Sequence, residues 1–204
     1  MKVQQLIIRQ YFFVLYLEGK CGVMKIDALL LICPDRFYDN RGHFGETYSR
    51  RRYVELGITS EFVQDNHSLS RAIGTLRGLH FQTPRVAQGK LVRCGRGAIF
   101  DVAVDIRRGS PTYGKWEGYE LTAENGHQLY VPVGFAHGFM TLEADSEIVY
   151  KCTDYYAPET EGAVLWNSCG IEWPLSVDPV LSDKDQEAPP LADFDSPFVY
   201  GQNS

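Results

Sequence analysis

Apolar and polar residues alternate with a period of two along much of this chain. In residues 98–107, AIFDVAVDIR, every even-numbered residue is apolar, whereas the odd-numbered residues include Asp101, Asp105 and Arg107. This alternation predicts a β-strand with one buried face. The two aspartates lie on the other face of that strand, for which solvent exposure is the simplest interpretation.

Shorter strand-like runs occur along the rest of the chain, each closed by Gly, Pro, Asn or Asp. They are KLVRC (90–94), WEGYELT (116–122), HQLYVPV (127–133), GFMTL (138–142), SEIVYKCTDYY (146–156) and AVLWN (163–167). Many short strands with turns between them predict an all-β sandwich or barrel. Two short helical pieces are expected as well: residues 48–58, and a turn for which Ser182 is the N-cap, since Ser182 and Asp185 approximate a capping box.

The N-terminal 23 residues differ from the rest of the chain. Their apolar patch is interrupted by Arg9, Glu18 and Lys20, which leaves it short of the ~20 apolar residues of a membrane span, and it lacks an Ala-x-Ala-like cleavage site. We expect residues 1–23 to be an extension, either a disordered arm or a misassigned start, without a membrane role. Residues 24–204 are long enough for one well-buried core and are expected to form a single domain.

The charge of the chain limits the ligands that it can bind, and its cysteine content indicates the cellular compartment. The chain carries 20 basic and 26 acidic residues, a net charge of −6, and no basic stripe of the kind that binds nucleic acid. Any anionic ligand must therefore be held by a local cluster of Arg and Lys. The cysteines are odd in number and lack C-x-x-C spacing, which argues against a disulfide framework and favours a reducing cytoplasm: Cys21, Cys33, Cys94, Cys152 and Cys169.

The stretch TLRGLHFQ, residues 75–82, places His80 in a predicted strand. Strand parity puts Arg77 on the opposite face from His80. A lone histidine in a strand is usually structural. Gly78, however, could form a bulge that turns Arg77 to the side of His80, and such bulges are common beside active sites.

A second candidate cluster contains two phenols. If residues 146–156 form one strand, Tyr150 and Tyr156 project from the same face about six residues, or ~20 Å, apart. One could donate a proton while the other stacks on a ring. The alternative is that both are core or rim aromatics of a sandwich, which spacing alone favours.

Nine segments follow one another in an order that is highly specific, although any one of them would be weak evidence. They are DNRGHFGE (39–46), FVQDNHSLS (62–70), LRGLHFQ (76–82), AQGKLVRC (87–94), FDVAVDIRRGSPTYGKW (100–116), PVGFAHGF (132–139), YKCTDYYAPETEG (150–162), GIEWP (170–174) and LSDKD (181–185). Together they resemble the dTDP-4-dehydrorhamnose 3,5-epimerase family. The resemblance begins near residue 24 and leaves the first 23 residues outside it.

The resemblance implies a cupin-like jelly roll, a homodimer, no metal or other cofactor, and a dTDP-4-keto-6-deoxyhexose as substrate. It implies that His80 is the proton acceptor, Asp185 the acid that orients it, Tyr150 the proton donor on the other side of the sugar, and Tyr156 the residue that stacks on thymine. Lys90 would stabilise the oxyanion that develops at the keto oxygen. The rest of the nucleotide and sugar site would comprise Arg41, Glu46, Gln64, Asp65, Asn66, Arg77, His137, Glu161 and Lys184.

These residue types suit that chemistry. A proton on C3 or C5 is next to the 4-keto carbon, so its removal gives an enolate, and a neutral imidazole held by a carboxylate is a usable base at neutral pH. Arg41 and Arg77 could bind the diphosphate in an acidic protein, although an Arg near a strand end is more often a solvated surface residue. Asp101 could also form a hydrogen bond near the base. A metal site is not expected, because no H-x-H pair is present.

The sequence leaves other functions open. Within the class, the chain could invert only one carbon or act as a ketoisomerase. In a different class, it could be a jelly roll that binds a sugar nucleotide without chemistry, or a metal-dependent cupin oxygenase. A base, its acid partner and an opposed phenol together favour epimerisation at both C3 and C5, on the route to dTDP-L-rhamnose.

Overall fold

The computed structural model describes residues 23–26, 29–174 and 177–202. The prediction for residues 1–23 lies outside this range, apart from Val23, and stays a prediction, as does the single domain. Strands in the described residues are β1 (Val23–Ile26), β2 (Leu29–Ile32), β3 (Phe37–Asp39), β4 (Gly42–Phe44), β5 (Gln64–Ser70), β6 (Leu76–Gln82), β7 (Lys90–Arg96), β8 (Ala98–Asp105), β9 (Trp116–Thr122), β10 (Gln128–Val131), β11 (Phe135–Thr141), β12 (Ser146–Cys152) and β13 (Glu161–Ala163). The helices are α1 (Arg50–Glu55) and α2 (Asp183–Gln186), with 3₁₀ turns at Pro158–Thr160 and Leu191–Asp193.

Two antiparallel sheets form a sandwich. The six-stranded sheet has the order β1-β2-β10-β7-β12-β5, and the five-stranded sheet has the order β13-β6-β11-β8-β9. Strands β3 and β4 form a separate hairpin. The predicted all-β, cupin-like jelly-roll sandwich with a few short helices is confirmed.

Three apolar clusters hold the layers together. Residues from the inner faces of both sheets, Val92, Ile99 and Leu129 among them, have no exposed surface. The outer face of the five-stranded sheet is covered by the C-terminal segment through Trp173 and Phe198. The outer face of the six-stranded sheet is covered by α1 and its flanks.

Strand β8 shows why the solvent-exposed interpretation of its aspartates is wrong. Asp101 and Asp105 are 0% and 1% exposed. The even-numbered residues Val102 and Val104 pack under the C-terminal segment, whereas Ile99 and Ala103 on the odd-numbered face belong to the core between the sheets. Both faces of β8 are therefore covered. The face that carries Asp101 and Asp105 points into the interior between the two sheets.

Two predicted strands end four residues earlier than expected. β12 stops at Cys152, and the Asp154 carboxylate then accepts a hydrogen bond from the Tyr155 backbone N–H, a local turn that competes with strand pairing. Tyr150 and Tyr156 therefore do not share one strand. The run AVLWN contributes only Ala163 to β13, because the Leu165 N–H donates to the Pro189 carbonyl instead of to a strand.

The helical predictions agree with the structure apart from their ends. α1 covers residues 50–55 of the predicted 48–58, and the chain leaves the helix through Gly57, whose φ is +94°. At α2 the Ser182 hydroxyl accepts a hydrogen bond from the Asp185 backbone N–H at 3.2 Å, as the capping pattern predicts. This cap fixes the start of the turn that carries Asp185.

Candidate active site

A cavity of about 430 Å³ lies between the two sheets. Arg77, His80 and His137 line it from the five-stranded sheet, and Lys90 and Tyr150 line it from the six-stranded sheet. Glu161 of β13 and Lys184 and Asp185 of α2 add three further charged side chains to the wall. The cavity therefore gathers eight of the fourteen residues singled out in the sequence.

A bulge in β6 brings Arg77 and His80 to the same cavity. Between the pairs His137–His80 and Phe139–Arg77, β6 advances by three residues while β11 advances by two. Gly78 sits in this bulge with φ +138°, and a Cβ there would lie 2.5 Å from the Gly138 Cα. Only glycine suits both the backbone angle and the close approach of β11. The predicted bulge is thus present.

His80 is held by Asp185. The His80 Nε2 lies 2.5 Å from the Asp185 Oδ1, and the two side chains are 28% and 4% exposed. Burial alone would raise the pKa of Asp185, but hydrogen bonds from His80, Ser182 and the Gly78 backbone and the charge of His80 outweigh it and lower this pKa. Asp185 is therefore an ionised partner that fixes the His80 ring, the arrangement that a histidine base requires.

A second histidine in the cavity, His137, is also hydrogen-bonded to a buried aspartate. The His137 Nε2 lies 2.8 Å from the Asp101 Oδ1 in the interior, where the two side chains are 9% and 0% exposed. The Asp101 Oδ2 has no hydrogen-bond partner among the described residues. The sequence pattern allows Asp101, as an alternative to solvent exposure, a hydrogen bond near the base, and His137 is the cross-strand neighbour of His80. The structure shows that the Asp101 carboxylate lies behind His137.

Lys90 is the cation on the facing sheet. Burial lowers the pKa of Lys90, while the nearby Cys152, Asp101 and Glu161 act in the opposite direction. No ion pair of Lys90 is found within the described part of the chain, although Asp101 and Glu161 are near enough to act on it. A desolvated ammonium of this kind interacts strongly with a charge that develops beside it.

Tyr150 projects from β12 into the cavity, on the sheet opposite His80. Burial raises the pKa of Tyr150, and the adjacent Asn66 side chain partly offsets this. The same amide lies 3.5 Å from the Cys152 Sγ, and its Oδ1 accepts a hydrogen bond from Gln64 at 3.1 Å. Tyr150 therefore keeps its phenolic proton, and Asn66 is its cross-strand neighbour in the β5–β12 ladder.

Glu161 links α2 to the loop that follows β12. Its Oε2 lies 2.5 Å from the Lys184 Nζ and accepts a hydrogen bond from the Tyr156 hydroxyl at 3.1 Å. The Tyr156 backbone N–H donates to the Gln64 Oε1 at 3.0 Å. Tyr156 is still 55% exposed, so its ring is open to a planar ligand.

Six of the predicted site residues do not line the cavity. Gln64, Asn66 and Tyr156 adjoin it through the contacts above, whereas Asp65 lies on the other face of β5 and pairs with Lys151 at 2.8 Å. Arg41 is in the β3–β4 hairpin, pairs with Asp39 and has 84% of its side chain exposed. Glu46, just after the hairpin, is also exposed.

Ser68 is a lining residue to which the sequence pattern assigned no role. It lies within a matched segment, FVQDNHSLS. Strand parity with Asn66 was the signal that could have found it, because residues two apart in a strand share a face.

Metal ligands and membrane segments were also sought in the described residues. No group of three or more His, Cys, Asp or Glu side chains among them is placed to hold a metal ion. None of the helices in the same residues is long and apolar enough to cross a membrane.

Comparisons with known proteins agree on one family. The family model for dTDP-4-dehydrorhamnose 3,5-epimerase matches residues 23–193. The enzyme of that name from Salmonella typhimurium is 54% identical over 169 residues, which cover 81% of this chain and 92% of that protein. The solved structure of dTDP-4-dehydrorhamnose 3,5-epimerase from Bacillus anthracis, with TDP and pyrophosphate bound, has a TM-score of 0.81 and 45% identity and covers 84% of this chain and 99% of that chain.

A second solved structure has a sugar nucleotide bound. The 3,5-epimerase from Legionella pneumophila, in complex with dTDP-4-keto-L-rhamnose, has a TM-score of 0.82 and 48% identity, and covers 86% of this chain and 95% of that chain. The family model matches well over half of the chain. This chain therefore belongs to the dTDP-4-dehydrorhamnose 3,5-epimerase family.

Proposed function

We propose that this protein is an isomerase that inverts C3 and C5 of dTDP-4-dehydro-6-deoxy-D-glucose, giving dTDP-4-dehydro-L-rhamnose in the biosynthesis of dTDP-L-rhamnose. One observation carries the proposal: a carboxylate-held histidine and a protonated tyrosine line the same cavity from opposite sheets. Inversion at carbon requires proton removal from one face and proton delivery to the other. Family membership supplies the substrate class.

His80 is the base in this proposal. It takes the proton from the carbon next to the ketone, the C–H bonding pair becomes the enolate, and the negative charge moves to the keto oxygen. Asp185 keeps the ring oriented and stabilises the imidazolium. Lys90 faces the developing oxyanion, a kind of contact that is worth about 3 kcal/mol in comparable sites.

Tyr150 completes the inversion. Its phenol gives a proton to the opposite face of the same carbon, and the phenolate that remains accepts a hydrogen bond from Asn66. The His80 proton then leaves to solvent and Tyr150 regains one, which restores the starting state. Arg77, His137, Glu161 and Lys184 bind the sugar and diphosphate, and Tyr156 stacks on thymine.

A homodimer accounts for the residues that lie far from the cavity. Phe37, Tyr38 and Phe44 of the β3–β4 hairpin are 67%, 70% and 73% exposed, an unusual display of large apolar side chains. If this hairpin packs on a second copy, Arg41 and Glu46 reach the other copy's site while their apolar neighbours become buried. Sedimentation of the protein and of Phe37→Ser/Phe44→Ser tests this. A wild-type monomer contradicts it.

The cytoplasm is the compartment that fits best. In the described residues Cys94, Cys152 and Cys169 are free thiols, as expected of a protein kept under reducing conditions. Cell fractionation with an antibody against the native protein tests this assignment.

The deciding experiment follows exchange with solvent. Wild-type protein is incubated in deuterated water with dTDP-4-keto-6-deoxyglucose, and proton NMR follows the signals at C3 and C5. Loss of both signals, abolished by His80→Asn, is expected. Loss at one carbon indicates a mono-epimerase, and no loss at either carbon contradicts the proposal.

A further inference from the structure

Two buried side-chain polar atoms have no hydrogen-bond partner within residues 29–174 and 177–202: the Ser68 Oγ and the Asp101 Oδ2. Buried polar atoms in folded proteins are nearly always paired, so an exception calls for an explanation. Ser68 lines the cavity from the six-stranded sheet, whereas Asp101 stands behind His137 on the five-stranded sheet. Of these two residues, Ser68 alone lines the cavity, so only its side chain can contact a bound ligand directly.

The position of Ser68 on β5 places it between two groups of the site. Asn66, two residues before it, is paired with Tyr150 across the sheet, and Ser68 itself is paired with Ile148. Ser70, two residues after it, accepts a hydrogen bond from the Arg77 Nε at 3.3 Å. The side chain of Ser68 is thus midway between the proton donor and an arginine.

The Ser68 hydroxyl has no hydrogen-bond partner among the described residues. It therefore breaks no hydrogen bond with them when it turns about its single Cα–Cβ bond into the cavity. An alanine would pack there without burying an unpaired oxygen. A hydroxyl at this point gains a protein-independent partner when a ligand with a polar group occupies the cavity.

We propose that the Ser68 hydroxyl forms a hydrogen bond with a hydroxyl of the substrate's hexose ring. This inference rests on the proposed function and adds a contact to the same site. A serine both donates and accepts, which suits a sugar hydroxyl, whereas the neighbouring Arg77 is the better partner for phosphate oxygens. Ser68 is accordingly a substrate-binding residue beside Tyr150.

Ser68→Ala tests this contact with two ligands. The KM for dTDP-4-keto-6-deoxyglucose is expected to rise about five- to tenfold, the usual effect of one neutral hydrogen bond. The Kd for dTDP alone, measured by calorimetry, is expected to stay unchanged. The thermal midpoint is expected not to fall, because the serine hydroxyl has no hydrogen bond to lose among the residues that the structure describes.

Ser196→Ala is the matched control. Ser196 is 1% exposed, does not line the cavity, and its hydroxyl accepts a hydrogen bond from the Phe198 N–H at 3.2 Å. This variant is expected to lose stability while its KM stays at the wild-type value. An unchanged KM in Ser68→Ala overturns the proposal, and an equal loss of dTDP affinity overturns it in favour of a diphosphate contact. Failure of the proposed function itself is distinct, since wild-type protein would then give no exchange.

Discussion

His80 and His137 are direct neighbours across the β6–β11 ladder, and each has a buried aspartate of its own. The aspartates come from different directions: Asp185 from α2 near the C-terminus and Asp101 from the middle of β8. The cavity therefore contains two imidazoles whose orientation is fixed by carboxylates. Asp185 belongs to the helical turn α2, whereas Asp101 lies inside the sandwich, so we expect their replacement to have different consequences.

Replacing Asp185 should impair catalysis more than binding. In Asp185→Asn the amide cannot stabilise the imidazolium, so we expect kcat to fall about a hundredfold or more while the Kd for dTDP changes little. Steady-state kinetics and calorimetry measure the two quantities. The double variant with His80→Asn should be hardly worse than His80→Asn alone, because the pair acts as a unit. Multiplicative losses would show that Asp185 acts independently of His80.

Replacing His137 should destabilise the fold. His137→Leu leaves the buried Asp101 carboxylate with no hydrogen-bond partner among the described residues, which costs about 3–5 kcal/mol of unfolding free energy in comparable broken pairs. Urea unfolding measures this. His137→Leu/Asp101→Ala should recover part of the loss, because it removes the unpaired charge. If the double variant is less stable than the single one, the carboxylate is not the source of the cost.

Gly78→Ala should disturb both the fold and the site. The new Cβ would meet the Gly138 Cα at 2.5 Å and the His137 carbonyl oxygen at 3.0 Å, in addition to the strain of φ +138°. We expect a loss of about 3 kcal/mol or more in unfolding free energy, measured by urea unfolding, and a large fall in kcat, because the bulge that turns Arg77 and His80 together is distorted.

Gly109→Ala provides the comparison for Gly78. Gly109 also has a positive φ, +80°, but a Cβ there meets nothing within 4 Å. Its expected cost is about 1 kcal/mol, from backbone strain alone. Equal losses in the two variants would mean that the close approach of β11 does not matter.

Lys90 should set the alkaline limit of activity. Burial lowers the pKa of Lys90, so its ammonium loses the proton below the ordinary lysine value of about 10.4, whereas the pKa of Tyr150 is raised and its phenol stays protonated. We expect kcat to fall as pH rises through this lowered pKa. Lys90→Gln should lose about 10²–10³ in kcat at neutral pH.

Lys90→Arg distinguishes charge from other causes of the alkaline limit. A guanidinium stays charged throughout the accessible range, so this variant should have a lower kcat but no alkaline fall from this group. The pH profiles of wild type and variant give the answer. A limb that is unchanged in Lys90→Arg would assign the titration to another group.

The alternation of apolar and polar residues predicted the strands correctly where one face of a strand was clearly apolar. β9 occupies residues 116–122 as predicted, and the Ser182 cap follows from residue chemistry that acts within a few positions. Gly78 indicated the bulge because glycine tolerates its positive φ, whereas the register of the bulge depends on the pairing with β11. The strand predicted for residues 146–156 was too long, because the turn at Asp154 depends on a single side chain that competes with the sheet.

The sequence by itself determined the class of fold, through its period of two, and the expected chemistry, through nine ordered segments that carry His80, Lys90, Tyr150 and Asp185. Only the tertiary structure decided what covers each face of β8 and which face adjoins the site. Alternation marks two different faces but not what covers each one, and here the C-terminal segment covers the apolar face while the second sheet covers the other. The pairing of Asp101 with His137 and the unpaired hydroxyl of Ser68 depend on residues far apart in the chain, so they exist only once the two sheets have packed together.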